Sequence, residues 1–168
     1  MDDARALKAA LAYLLTMDGV PTLYYGTEQG FAGAVDPDNR EALWTSAYAT
    51  DGDLFVWLRR LVELRKQQRA LRRGDLRFVW TSDRREAGNG AGVVAFERFV
   101  GDDRVLIVIN TRAEPAATEA PGTAMQVGFD PGTELVEVLV GGDPLVVPAS
   151  ARLSLELEAF GARVYVAR

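Results

Sequence analysis

Glu28, Asp36, Asp38, Arg40 and Glu41 lie close together in one polar stretch, with Tyr24, Tyr25, Phe31 and Trp44 on either side. Carboxylates accept hydrogen bonds, a guanidinium donates through a planar fork, and aromatic rings offer flat apolar faces. That mixture suits a hydroxyl-rich ligand such as a sugar ring. The same residues also describe a solvated loop held by local caps and ion pairs, and composition alone leaves that alternative open. The chain has neither histidine nor cysteine. A Ser-His-Asp triad, a histidine base, thiolate metal sites, the usual zinc ligand sets and disulfides are therefore excluded within it. Any chemistry of its own would be carboxylate chemistry.

The polar stretch needs elements to hold it. Leu7, Ala10, Leu11, Leu14 and Leu15 recur at helical spacing, so a helix is expected from Asp2 or Asp3, either of which can act as N-cap, to Met17. Asp18-Gly19 ends it. Residues 20–25 form a short apolar run with β-branched and aromatic members and are expected to be a buried strand, giving an αβ unit of a parallel sheet. The glycine-rich residues 26–44 then read as a functional loop after that strand. A second helix is expected over 54–70, with Leu54, Trp57, Leu58, Leu61 and Leu64 on one side and Gly74 as its stop. Arg65, Lys66, Arg69, Arg72 and Arg73 crowd its end, where cations complement the helix dipole, so they read as a capped helix end rather than a binding patch.

Beyond Gly74 the period becomes alternating. Strands are expected over 76–81, 93–99, 104–110, 125–129, 135–140, 145–147, 152–157 and 163–167. Residues 105–109 are apolar throughout and should be covered on both faces, whereas Leu153, Leu155 and Leu157 alternate with Ser154 and Glu156, as on a strand with one wet face. Two packed antiparallel sheets fit this pattern, with 82–92 and 114–123 as exposed connections. Gly88-Asn89-Gly90 opens into a strand rather than a helix, so it reads as a hairpin turn and not a phosphate loop. Asp36-Pro37-Asp38-Asn39 begins like a calcium-binding EF-hand loop, but Arg40, Glu41 and Ala47 stand where that loop needs a ligand, a glycine and a glutamate.

The 168 residues are 48% hydrophobic and carry a formal charge of −5, with arginines scattered among carboxylates. That balance gives no electrostatic support for binding nucleic acid. No run is long and apolar enough to suggest a membrane span, and the first residues do not read as a signal peptide. The length falls short of the roughly 250 residues of a complete (β/α)8 barrel, so a barrel signature here is partial. The compartment is left open.

The order Gly19-Val20-Pro21-Thr22-Leu23-Tyr24-Tyr25-Gly26-Thr27-Glu28-Gln29-Gly30-Phe31, followed by Asp36-Pro37-Asp38-Asn39-Arg40-Glu41, resembles the eighth barrel strand and following loop of the α-amylase family of glycoside hydrolases. Leu64-Arg65-Lys66 resembles the end of that family's final barrel helix, and residues 92–98 and 105–110 are similar to strands of its C-terminal domain. The resemblance implies an α+β chain: the terminal fragment of a (β/α)8 barrel over residues 1–74, then an antiparallel β-sandwich over 75–168. It implies that Asp36 and Arg40 bind glucose units of an α-glucan or maltooligosaccharide, with Glu28 in a supporting role. The family's three catalytic carboxylates lie on earlier barrel strands, so the resemblance assigns this chain no catalytic residue, no metal ligand and no cofactor; calcium remains a ligand open to the complete enzyme. Retaining hydrolysis would then belong to the whole protein, and the exposed strand edge makes self-association of this chain expected. A noncatalytic carbohydrate-binding or interaction module built on the β-sandwich is the alternative.

Overall fold

The computed structural model describes residues 4–82, 92–120 and 123–168. The expected N-caps Asp2 and Asp3 and the Gly88-Asn89-Gly90 turn lie outside them. Helix α1 spans Ala4–Thr16, and α2 spans Asp53–Gln67. The second expected helix does not run on to residue 70. Gln68 adopts an extended backbone, and a short α3, Arg69–Arg73, follows. The Asp103 carboxylate accepts the N–H of Ala70 at 2.7 Å, a cap supplied from a distant strand.

Eleven short or long strands follow among the described residues: β1 Asp75–Thr81, β2 Val93–Val100, β3 Asp103–Asn110, β4 Ala116–Ala117, β5 Glu119–Ala120, β6 Thr123–Gln126, β7 Glu134–Glu137, β8 Leu145–Val146, β9 Arg152–Leu153, β10 Glu156–Leu157 and β11 Ala162–Ala167. Six of them form one sheet in the order β1-β2-β3-β11-β7-β8, every pair antiparallel. The rest make two small ribbons, β5-β6-β9 and β10-β4. The fold is thus mixed helix and antiparallel sheet.

Alternation along the central strands sends side chains to two cores. Phe96, Val105, Ile107, Ile109 and Val164 face the helices and pack with Leu11, Leu15, Leu58, Leu61 and Leu71. Val93, Ala95, Leu106, Val108 and Tyr165 face the opposite way, onto Met125, Leu135, Leu153, Leu155 and Leu157. Val105 to Ile109 are consequently buried on both faces, as their uninterrupted apolar run predicts.

Further expectations need correction. Residues 20–25 form no strand, and Val20 is 93% exposed, because a parallel strand needs neighbours and no other described segment offers its edge to this one. Leu7, Ala10 and Leu14 of α1 are exposed; the buried face instead carries Ala9, Leu11, Ala12, Leu15 and Thr16. The expected strand 152–157 is broken into β9 and β10, although Leu153, Leu155 and Leu157 still point inward. Residues 114–120 are not simply an exposed connection: Thr118 is fully buried, its hydroxyl oxygen accepts the N–H of Leu155 at 2.9 Å, and its own N–H donates to Leu155 O at 3.0 Å.

Candidate functional site

The polar stretch begins where glycine is needed. Gly26 has φ 87°, in the left-handed region, and the place of a Cβ is taken by the Phe31 ring. The turn is then closed by its own polar groups: Gly26 N–H donates to Glu28 Oε2 at 3.0 Å, Phe31 N–H to Gly26 O at 3.0 Å, and the Thr27 hydroxyl to Tyr24 O at 2.7 Å. A 3-10 turn covers Thr27–Gln29, and from it the Gln29 side-chain amide donates to Ala49 O at 2.9 Å, tying the start of the loop to its end. Gly33 N–H donates to Glu41 Oε1 at 2.9 Å across the middle. Glu28 and Glu41 are therefore committed to loop backbone.

Asp36 and Arg40 stand one helical turn apart, with Val35 O accepting the N–H of Asp38 at 2.8 Å and Pro37 O accepting that of Arg40 at 3.0 Å. Arg40 Nη2 lies 3.1 Å from Asp36 Oδ1, and both side chains are about two-thirds exposed, at 68% and 67%. An ion pair this open contributes on the order of 0–1 kcal/mol. It can exchange its partner for a ligand's hydroxyls at little cost to the fold. Beside the pair, a cavity of about 180 Å³ is lined by Tyr24, Tyr25, Phe31, Asn39 and Glu41. The tyrosine rings stand 4.8 Å apart, tilted by 52°. Local desolvation raises the Tyr25 hydroxyl above the ordinary tyrosine value, Tyr24 adds to this by charge and hydrogen bond, and Arg40 pulls the other way. Trp44 and Tyr48 are exposed nearby in sequence.

The structure thus brings Asp36 and Arg40 together and places Glu28 in the turn that leads to them. Asn39, which the sequence shows as a member of the Asp36–Glu41 motif without a role of its own, also lines the cavity. Among the described residues no group of three or more carboxylates converges as a metal site would require, and no helix is long and apolar enough to cross a membrane.

Comparison with models of protein families finds no match. Individual proteins do match. "Alpha-amylase 2" of Schwanniomyces occidentalis is 32% identical over 137 residues, which cover 82% of this chain and 26% of the relative. The crystal structure of an Anoxybacillus α-amylase superimposes with a TM-score of 0.81 at 28% identity, covering 99% of this chain and 33% of that one. The α-amylase of Geobacillus thermoleovorans, solved in complex with acarbose, gives 0.79 at 26% identity, with 99% and 34% covered. The chain therefore spans about a quarter to a third of the length of these proteins. Agreement in residue order and in fold leads to one conclusion: the chain belongs to the α-amylase family of glycoside hydrolases and corresponds to a C-terminal part of its members.

Proposed function

We propose that this chain is the substrate-holding C-terminal portion of a retaining glycosidase that acts on α-linked glucans, and that it carries none of the catalytic carboxylates. In this reading α1, residues 20–25 and α2 close a (β/α)8 barrel, the boundary falls near Gly74, and the antiparallel strands form the C-terminal domain. Arg40 donates to glucose hydroxyls, Asp36 accepts from them, and Glu28 supports the turn that presents both. The pair orients the glucan, while an upstream nucleophile and acid-base carboxylate perform the two displacements of retention. The observation that carries the reading is the open Asp36–Arg40 pair on a loop closed by its own backbone bonds, in a chain related to α-amylases over nearly all its length.

In an enzyme containing this chain, Asp36→Ala and Arg40→Ala should each raise KM for a maltooligosaccharide tenfold to a hundredfold, as loss of about 1.5–3 kcal/mol of charged hydrogen bonding implies. The purified chain alone should release no sugar from starch. Turnover by the chain that vanishes in Asp36→Ala would refute the assignment of the nucleophile to another segment. Maltooligosaccharide binding that survives Asp36→Ala but is lost on changing the β-domain surface would favour the noncatalytic module.

Val20, Tyr24, Val35, Trp44 and Tyr48 are exposed on and beyond the segment that would be the last barrel strand. Left without a barrel, such apolar surface and unpaired backbone favour association. Sedimentation of the isolated chain should therefore show dimers or larger species; a monomer at every concentration tested would argue against the barrel assignment.

A further inference from the structure

The C-terminal end of α1 is held by two arginines from different parts of the chain. From α2, Arg65 Nη1 donates to Leu15 O at 2.7 Å and Met17 O at 3.0 Å, and its Nη2 donates to Gly19 O at 2.7 Å. From β2, Arg98 Nη1 donates to Thr16 O at 2.9 Å, while its Nη2 and Nε reach Gly74 O at 2.8 Å and Asp75 O at 3.4 Å. The last carbonyls of a helix have no partner within it. Here the carbonyls of Leu15, Thr16, Met17 and Gly19 are all taken up by guanidinium groups.

An ordinary helix stop needs less than this. Gly19, at φ 87°, already turns the chain. Arg98 is 2% exposed, and burial depresses its pKa while Asp18 and Asp75 oppose the shift. Burying a guanidinium is costly unless its donors are satisfied, so its aim at Thr16, Gly74 and Asp75 is tightly determined. What leaves the clamp is residues 20–25, which lead directly into the loop of Asp36 and Arg40. Their starting point is held at Thr16 to Gly19.

We propose that Arg65 and Arg98 are positioning residues for the glucan-binding loop, with Arg98 tying that loop to the six-stranded sheet. The sheet thereby acts on substrate affinity through α1 without touching substrate. The inference rests on the proposed role of Asp36 and Arg40, and its test separates the two.

Hydrogen exchange on the 168-residue chain reads the clamp directly. Arg98→Met and Arg65→Met should each speed exchange at Met17, Thr27, Gln29, Gly30 and Phe31 at least tenfold, while β3 and β11 stay protected. Arg98→Lys, which keeps a single charged donor group, should restore part of the protection. Glu97→Gln, the neighbouring position on β2 with no bond to α1, is the control. Unchanged exchange in both methionine variants, or equal acceleration in Glu97→Gln, overturns the proposal. If Arg98→Met loses protection everywhere, Arg65→Met, which leaves the sheet intact, decides alone. Maltoheptaose affinity supplies the second arm: Arg65→Met should weaken it about fivefold. Should Asp36→Ala weaken binding and Arg65→Met not do so, positioning fails and the binding role stands. Absence of binding, or binding indifferent to Asp36→Ala, overturns the binding role, and the exchange result still decides the clamp.

Discussion

Glu137→Ala is expected to cost the fold about 3–5 kcal/mol, because one buried carboxylate satisfies four backbone donors there. Glu137 ends β7. Its Oε1 accepts the N–H of Leu139 at 3.1 Å and of Val164 at 2.9 Å, and its Oε2 accepts the N–H of Val140 at 2.7 Å and of Gly141. The bond to Val164 reaches the neighbouring strand β11, and the other three hold the turn that leaves β7. Alanine would strand all four donors at a site only 6% exposed. The loss is a large share of the roughly 5–15 kcal/mol that holds a domain together, and a midpoint shift in urea unfolding measures it. A loss below about 1 kcal/mol would mean that water replaces the carboxylate without penalty.

The same carboxylate acts on Tyr165, whose hydroxyl is pushed above the ordinary value by burial first and by the charge of Glu137 second. A raised phenol pKa means the folded state holds its proton more tightly than the unfolded chain does. The stability this contributes is complete below pH 10.0, the ordinary tyrosine value, and is lost as the pH rises through the higher folded value. Glu137→Gln should therefore bring the ultraviolet titration of Tyr165 down, toward but not to the ordinary value.

The second large effect is expected at Glu97, which is fully buried on the opposite side of the sheet from Phe96. Its Oε2 receives Arg77 Nη2 and Arg104 Nη1, each at 2.6 Å, and its Oε1 accepts the N–H of Gly128 at 2.6 Å. Arg77 is half exposed and returns to water when the carboxylate is removed. Arg104 is less free: its guanidinium sits 4.8 Å from the centre of the Phe99 ring and 5.7 Å from that of Phe129. Glu97→Ala is thus expected to cost about 2–4 kcal/mol, less than complete removal of a dry ion pair. Gly128→Ala should be similarly harmful, because its new methyl would stand among the Arg77 and Arg104 guanidiniums and the Glu97 carboxylate. Thermal unfolding of both single variants and the double variant tests the idea: one shared network predicts less than additive losses, and full additivity would refute it.

Much of the architecture was legible from local pattern. Residues 105–109 announced a strand covered on both sides, Leu153, Leu155 and Leu157 announced one wet face, and Gly74 announced the change from helices to strands. These signals depend on periods of 3.6 and 2 residues, which a short window contains. The loop of Glu28, Asp36 and Arg40 was legible as well, since glycine positions and residue order within one stretch carry it. The tertiary structure alone decided which carboxylates in that loop are committed to backbone and which pair stays open: Glu28 and Glu41 hold Gly26 and Gly33, while Asp36 and Arg40 meet as an exposed pair.

It also decided where the lone charges go. By sequence Arg65 complements the dipole of its own helix, yet it caps α1 across 46 residues of sequence at Gly19, and Arg98 reaches Thr16 across 82. Nothing local distinguishes an arginine that will meet water from one that will meet orphaned carbonyls. The apolar run 20–25 failed as a strand for the same reason. Propensity proposes an extended segment, but a strand exists only when another backbone completes its hydrogen bonds, and pairing is a property of the assembled fold.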